Sequence, residues 1–164
     1  MNRTTPLPIS TYDAAPAGNF SSAFARSDGT ASFNDYGVTL LRLSLGVMWT
    51  AHALLKLLVF TLPGTVQFFA SIGFPGLLAY PVFAAELMGG VALILGIYAR
   101  QVSLALVPIM AVAAWVHLPN GWAHTSAGGG WEYPVFLTVA SIALWLMGDG
   151  AFSMYRSKRF TPAA

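Results

Sequence analysis

The feature that most constrains this chain is an apolar stretch, Tyr36 to Phe60, that carries three ionisable side chains. A helix of this length reaches roughly 37 Å at about 1.5 Å per residue, which is enough to cross a bilayer with some tilt. At about 100° per residue, Arg42, His52 and Lys56 fall within an arc of roughly 80°. Trp49 lies in the same arc. Because charged groups are costly in lipid, this stripe is predicted to face protein.

The composition indicates that most of the surface faces something other than water. Only 9% of the residues are charged, against about 25% in a typical soluble domain, and 56% are apolar. We therefore predict an integral membrane protein that is small enough for one domain. The net charge of +2 is small and the basic residues cluster by side of the membrane, so nucleic-acid binding is not expected. The chain has no cysteine, which excludes dithiol–disulfide chemistry, thiolate metal ligands and iron–sulfur clusters held by this chain alone.

Three further apolar segments predict membrane-crossing helices at Leu77 to Tyr98, Gln101 to Leu118 and Trp131 to Met147. With the first stretch they predict an all-α fold, an integral membrane four-transmembrane-helix bundle over residues 36–150. The segment from Thr61 to Gly76 is too short to span, and its flanking prolines and glycines predict a short piece that lies in the membrane interface or is re-entrant.

The two ends of the chain are predicted to be tails, and the basic residues predict the orientation. Residues 1–35 are rich in Ser, Thr, Ala, Pro and Gly without an apolar period, which predicts a mobile or loosely ordered segment. Residues 151–164 form a basic C-terminal tail. With four spans, every basic residue outside the spans falls on one side: Arg3, Arg26, Arg100, Arg156, Lys158 and Arg159. The positive-inside rule then places both termini in the cytoplasm.

The four predicted spans each send an ionisable group toward the same, outer half of the membrane. His52 lies ~12 Å and Glu86 ~13 Å from the outer ends of their helices, so the two are level. Lys56, His117 and Glu132 lie nearer the outer edge. We therefore predict a polar pocket in the outer half of the bundle, where Lys56 neutralises either Glu86 or Glu132. Arg42, near the inner edge, and Arg100, in the inner loop, are predicted to be structural charges.

The residue types in this pocket leave three kinds of role open. Histidines beside carboxylates near an aromatic rim suit a quinone head group, with hydrogen bonds to the carbonyls and a carboxylate or imidazole to handle protons. His52, His117 and Glu86 could instead bind a metal such as copper or zinc. All of these groups could also serve only as polar contacts between helices.

At this point several sequence pieces together resemble the DoxX family of small bacterial membrane proteins. The pieces are LLRLSLGVMWTAHALLK, GTVQFFASIGFP, AAELMGGVALILGIYAR, VHLPNGW, GGGWEYP and GDGAFSM, and they cover about residues 36–155. The resemblance implies a four-helix protein of the bacterial inner membrane. It also implies that the characteristic polar positions are His52, Lys56, Glu86, Arg100, His117, Trp131 and Glu132. Ala53 departs from the glycine that usually follows the first histidine.

The resemblance implies a setting in membrane redox systems but no particular reaction. From it and the residues we predict an accessory or quinone-interacting subunit of a bacterial membrane redox complex. The five ionisable groups would bind the head group and pass protons, with Trp131 as the wall of the pocket. A redox-protein partner would supply any thiol or sulfur chemistry. The alternatives are a non-catalytic membrane anchor or assembly partner, and a protein that handles a metal or small molecule. Enzymatic turnover and a homo-oligomer are both left open.

Overall fold

A computed structural model describes residues 31–157, and the named secondary-structure elements of this part of the chain are all helices. It contains five α-helices: α1 Phe33–Leu58, α2 Leu62–Ser71, α3 Ala79–Leu95, α4 Ala99–His117 and α5 Glu132–Met147. Short 3-10 turns precede α3 at Gly76–Leu78 and follow α4 at Leu118–Asn120. Residues 1–30, predicted to be mobile or loosely ordered, lie outside the described residues. The last part of the basic tail, residues 158–164, also lies outside them.

A capping box starts α1 three residues before the predicted beginning of the first span. The Asp35 amide donates to Ser32 Oγ at 3.3 Å, and the Ser32 amide donates to the Asp35 carboxylate at 3.0 Å. These two bonds satisfy amide donors that the first turn of a helix otherwise leaves free. The apolar run begins at Tyr36, so hydropathy alone places the helix start too late.

Two glycines bring α1 and α3 into close backbone contact. A methyl group on Gly90 would lie 2.7 Å from the Thr50 amide and 2.9 Å from the Gly46 carbonyl. A methyl group on Gly46 would lie 2.9 Å from the Gly90 carbonyl. Small residues at such a crossing are typical of helices that pack within a membrane. The close backbone approach at Gly46 and Gly90 therefore sets the distance between α1 and α3.

The four longer helices run in alternating directions. The end of α1 meets the beginning of α3 and of α5, as the contacts of Lys56 with Glu86 and of His52 with Tyr133 show. We call this end, where α1 and α4 finish and α3 and α5 begin, the polar end. The opposite end, where Arg42 contacts the segment after α5, is called the arginine end.

The segment 148–157 packs against the arginine end. The Tyr98 amide donates to the Tyr155 carbonyl at 2.9 Å, and the Tyr155 amide donates to the Gly96 carbonyl at 3.1 Å. Gly96 has φ +70°, a conformation that favours glycine and that ends α3 sharply. The first half of the predicted C-terminal tail is thus joined to the turn between α3 and α4.

The surface of the described chain is that of a membrane protein. Large apolar side chains point outward on every long helix, among them Leu40, Met88, Val112, Phe136 and Leu146. Within residues 31–157, three helical segments are long and apolar enough to cross a membrane: Phe33–Leu58, Gly76–Leu95 and Ala99–Asn120. The helix α5, predicted as the fourth span, is apolar but has 16 residues. These outward apolar faces are the surfaces that contact lipid.

Candidate functional site

The polar end contains a buried ion pair between α1 and α3. Lys56 Nζ lies 2.7 Å and 2.9 Å from the two carboxylate oxygens of Glu86. The Glu86 side chain is 1% exposed and that of Lys56 is 19% exposed. Glu86 lies one helical turn before Gly90, so the close glycine crossing holds both charges within reach. Of the two carboxylates that the sequence offered to Lys56, the fold selects Glu86.

His52 lies one turn before Lys56 on α1 and is held by α5. Its Nδ1 is 2.9 Å from the Met48 carbonyl oxygen, so Nδ1 carries the proton and donates to it. This leaves Nε2 with its lone pair and, within residues 31–157, without a hydrogen-bond partner. The Tyr133 ring stacks on the imidazole, with ring centroids 5.1 Å apart, and its hydroxyl oxygen is 3.4 Å from Nδ1. Tyr133, which the sequence did not select as a site residue, therefore orients His52.

The Glu132 carboxylate pairs with His124 and not with Lys56. Glu132 Oε1 accepts from the His124 backbone amide at 2.8 Å and contacts His124 Nδ1 at 2.8 Å. Nothing in the local sequence pattern around His124 indicates this pairing. The pairing arises because Glu132 N donates to the Trp122 carbonyl at 3.1 Å, which folds the loop back onto the first turn of α5.

His117 and the three consecutive glycines belong to the same loop. His117 Nδ1 lies 3.3 Å from the Asn120 side-chain amide, and that amide also donates to the Gly128 and Gly129 carbonyls at 3.1 and 2.9 Å. A methyl group on Gly130 would lie 2.2 Å from the Ala123 carbonyl, so only glycine fits there. The glycine run is thus held by Asn120 and lets two segments of the loop backbone approach closely.

A cavity of about 660 Å³ opens beside this loop, along the outward face of α5. Of the predicted pocket residues, Glu132 lines it. The other lining residues are Trp122, His124, Tyr133, Val135, Phe136 and Val139. Trp131, the predicted wall, is not among the lining residues and packs edge-on against Trp122 with ring centroids 4.4 Å apart.

The predicted convergence of five groups is therefore divided between two places. Lys56, Glu86 and His52 form one polar group between α1, α3 and α5, and Glu132 with His124 forms a second at the mouth of the cavity. His117 lies beside the loop and bonds to neither group. Within residues 31–157 no three His, Asp or Glu side chains stand close enough to hold a metal ion, so the structure adds no support to the metal alternative.

The two structural arginines lie at the arginine end. Arg42 is 2% exposed, and its Nη1 donates to the Asp149 carbonyl at 3.0 Å and to Ser153 Oγ at 2.8 Å. Arg100 Nε donates to the Trp145 carbonyl at 2.8 Å, which is one of the last carbonyls of α5. Both guanidinium groups thus bind backbone oxygens at or after the end of α5, where cations are favoured.

Comparison with known proteins gives one family and one curated relative. The DoxX family model matches residues 37–118. A protein of Bacillus subtilis (strain 168) named "Putative oxidoreductase CatD" is 40% identical over 70 residues, which are 43% of this chain and 51% of that protein. The chain thus matches about half the length of this relative. No solved structure matches the chain.

Proposed function

This chain belongs to the DoxX family, whose model matches residues 37–118, half of the chain. We propose that it is a quinone-interacting accessory subunit of a bacterial membrane redox complex. The similar protein from Bacillus subtilis carries the name of an oxidoreductase, which supports a redox setting. Since this chain has no cysteine, we propose that thiol or sulfur chemistry, where the complex needs it, comes from a partner protein.

In this proposal α5 is a fourth span of the inner membrane and both termini lie in the cytoplasm. At about 1.5 Å per residue α5 is ~24 Å long, so the residues on either side complete the crossing. The polar end then faces the periplasm and the arginine end faces the cytoplasm, in agreement with the positive-inside rule. The short helix α2 lies at the periplasmic interface.

The observation that carries the proposal is the state of His52. Its imidazole is oriented from two sides, keeps Nε2 free, and stands one turn from an ion pair whose Glu86 side chain is 1% exposed and whose Lys56 side chain is 19% exposed. An oriented imidazole with a free nitrogen can accept a proton from a hydroquinone hydroxyl or, when protonated, donate to a quinone carbonyl. Polar groups that served only to hold helices together would need no free nitrogen of this kind.

The proposal is tested by isolating the protein from its native membranes in mild detergent. We expect bound quinone and a co-isolated redox protein. His52→Ala should reduce the retained quinone several-fold, since it removes one oriented hydrogen-bonding group, whereas Ser44→Ala, an exposed position on the same helix, should retain as much as the wild type. A wild-type preparation without quinone, or a His52→Ala variant that retains all of it, would contradict the proposal.

A further inference from the structure

We propose that the cavity along α5 is the site that binds the quinone head group, with the isoprenoid tail running over Phe136 and Val139 into the lipid. This inference rests on the proposed function and adds the place and orientation of the ligand. The sequence located the site between the helices, whereas the cavity lies on the outward face of α5 and is lined mainly by residues that the sequence did not select.

One end of the cavity carries a hydrogen-bonding pair with free capacity. Glu132 Oε1 is held by His124, while Oε2 has no hydrogen-bond partner within residues 31–157. If His124 Nδ1 carries the proton that bonds Glu132, its Nε2 is also available. The pair can therefore accept from a hydroquinone hydroxyl, and a protonated His124 can donate to a quinone carbonyl.

The remainder of the cavity is apolar and open toward the lipid side of α5. Phe136 is 67% exposed and Val139 is 60% exposed, and both line it together with the rings of Trp122 and Tyr133. A volume of about 660 Å³ lies within the range of roughly 300–1,000 Å³ that small-molecule sites occupy. Aromatic walls that continue into an exposed aliphatic face suit a flat head group joined to an apolar chain.

The charges at the polar end disfavour a phospholipid in the same place. A phosphate group at the mouth would meet the Glu132 carboxylate, and like charges at short range repel. Among the described cationic side chains, Arg42 and Arg100 donate hydrogen bonds to backbone carbonyls at the arginine end. Lys56 is paired with Glu86. Arg156 lies in the segment 148–157 at the same arginine end. No described lysine or arginine is therefore available at the mouth of the cavity, so a neutral head group is favoured over an anionic one.

Tyr133 connects the cavity with the polar group behind it. Its ring lines the cavity and also stacks on His52, and its hydroxyl lies 3.4 Å from the imidazole. With the head group in the cavity, His52 is a positioning residue that holds Tyr133, and the direct hydrogen bonds that the proposed function assigns to His52 are made by Glu132 and His124 instead. This is why a change at His52 is expected to weaken binding in part, while a change at the mouth or in the apolar wall weakens it directly.

The test is photolabelling of the full-length protein in lipid nanodiscs with a short-chain azidoquinone, followed by peptide mapping with and without excess unlabelled quinone. We expect competed label on residues 122–139. Val139→Trp, which fills the cavity, should remove most of that label. Leu146→Trp is the matched control, because Leu146 is equally exposed on α5 and lies outside the cavity. Glu132→Gln should weaken competition about tenfold, the size expected for one charge-assisted hydrogen bond.

The possible results separate this inference from the proposed function. Competed label on α1 and α3 around His52 and Glu86, with none on residues 122–139, overturns the cavity as the site and leaves the proposed function standing. An absence of competed label anywhere in the wild type overturns both. Label on residues 122–139 that phospholipid displaces and quinone does not identifies a lipid site and overturns the inference. Equal loss of label in Val139→Trp and Leu146→Trp also overturns it.

Discussion

At the scale of single residues, the Lys56–Glu86 pair shows how this chain tolerates charge inside an apolar bundle. Each charge alone would be expensive to bury, and the bidentate contact at 2.7 and 2.9 Å neutralises both. Such a pair is a weak source of net stability, because the attraction mainly offsets the cost of removing two ions from water. Its main effect is to penalise any packing of α1 and α3 that separates the two groups.

Removal of one charge from this pair should be much worse than removal of both. We expect Lys56→Met to lower the free energy of unfolding by about 3 kcal/mol, the lower end of the usual range, because Lys56 is still 19% exposed. The double variant Lys56→Met with Glu86→Leu should lie within about 1 kcal/mol of the wild type. Reversible unfolding in detergent micelles measures both, with Gln67→Leu on the exposed face of α2 as the control. Additive losses in the double variant would show that the two charges are not coupled.

At the scale of elements, the glycine crossing of α1 and α3 is what allows that ion pair to form. The backbone atoms of Gly46 and Gly90 approach so closely that a methyl group on either would overlap the other helix. Tight crossings of this kind compensate in a membrane for the lack of a hydrophobic driving force between helices. The geometry of the candidate site therefore depends on two positions that carry no chemistry.

We expect Gly90→Ala to destabilise the protein by about 1–3 kcal/mol, the cost of overpacking a tight contact. The added methyl group would lie 2.5 Å from Thr50 Oγ1 and 2.7 Å from the Thr50 amide. To remove this overlap, the backbone of α1 or α3 would have to move. Gly37→Ala on α1 is the matched control, because nothing lies within 4 Å of the added group. That variant should be neutral or gain about 0.5–1 kcal/mol from reduced backbone freedom in the unfolded state. Unfolding midpoints in the same detergent compare the two, and equal effects would contradict the proposed role of the crossing.

At the scale of the whole molecule, alternation of the four longer helices separates two kinds of polar surface. The polar end carries imidazoles and carboxylates beside a cavity, whereas the arginine end carries guanidinium groups that bind the segment after α5. If α5 crosses the membrane as proposed, the polar end and the arginine end lie on opposite sides of it. Ligands would then reach the polar end from the periplasmic leaflet. The number of spans therefore decides which compartment supplies and receives protons at the candidate site.

The lack of cysteine makes this arrangement directly measurable. Single substitutions Ser71→Cys at the end of α2, Thr125→Cys in the loop before α5 and Arg156→Cys after α5 place one thiol each at exposed positions. In intact cells of the native organism with a permeabilised outer barrier, we expect a membrane-impermeant maleimide to label Cys at 71 and 125 only. Position 156 should react after the inner membrane is opened. Labelling of position 156 from outside would show that α5 does not span.

What the sequence determined by itself are the properties that depend on neighbouring residues along one helix. Hydropathy located the apolar helices to within a few residues, and the helical period placed Arg42, Trp49 and Lys56 on a face that the fold turns inward. The fold confirms these predictions because they follow from local backbone geometry and from the cost of exposing charge to lipid.

Only the tertiary structure decided which side chains meet. Lys56 had two carboxylates at similar depth, and the glycine crossing with α3 selected Glu86. Glu132 instead paired with His124, because the loop folds back onto the first turn of α5, and Tyr133 met His52 through the rotation of α5 about its axis. Depth along a helix can be read from residue spacing, but the rotation and order of helices depend on packing across the whole bundle. For that reason the sequence left Glu86 and Glu132 as two possible partners of Lys56, and it did not predict the cavity along α5.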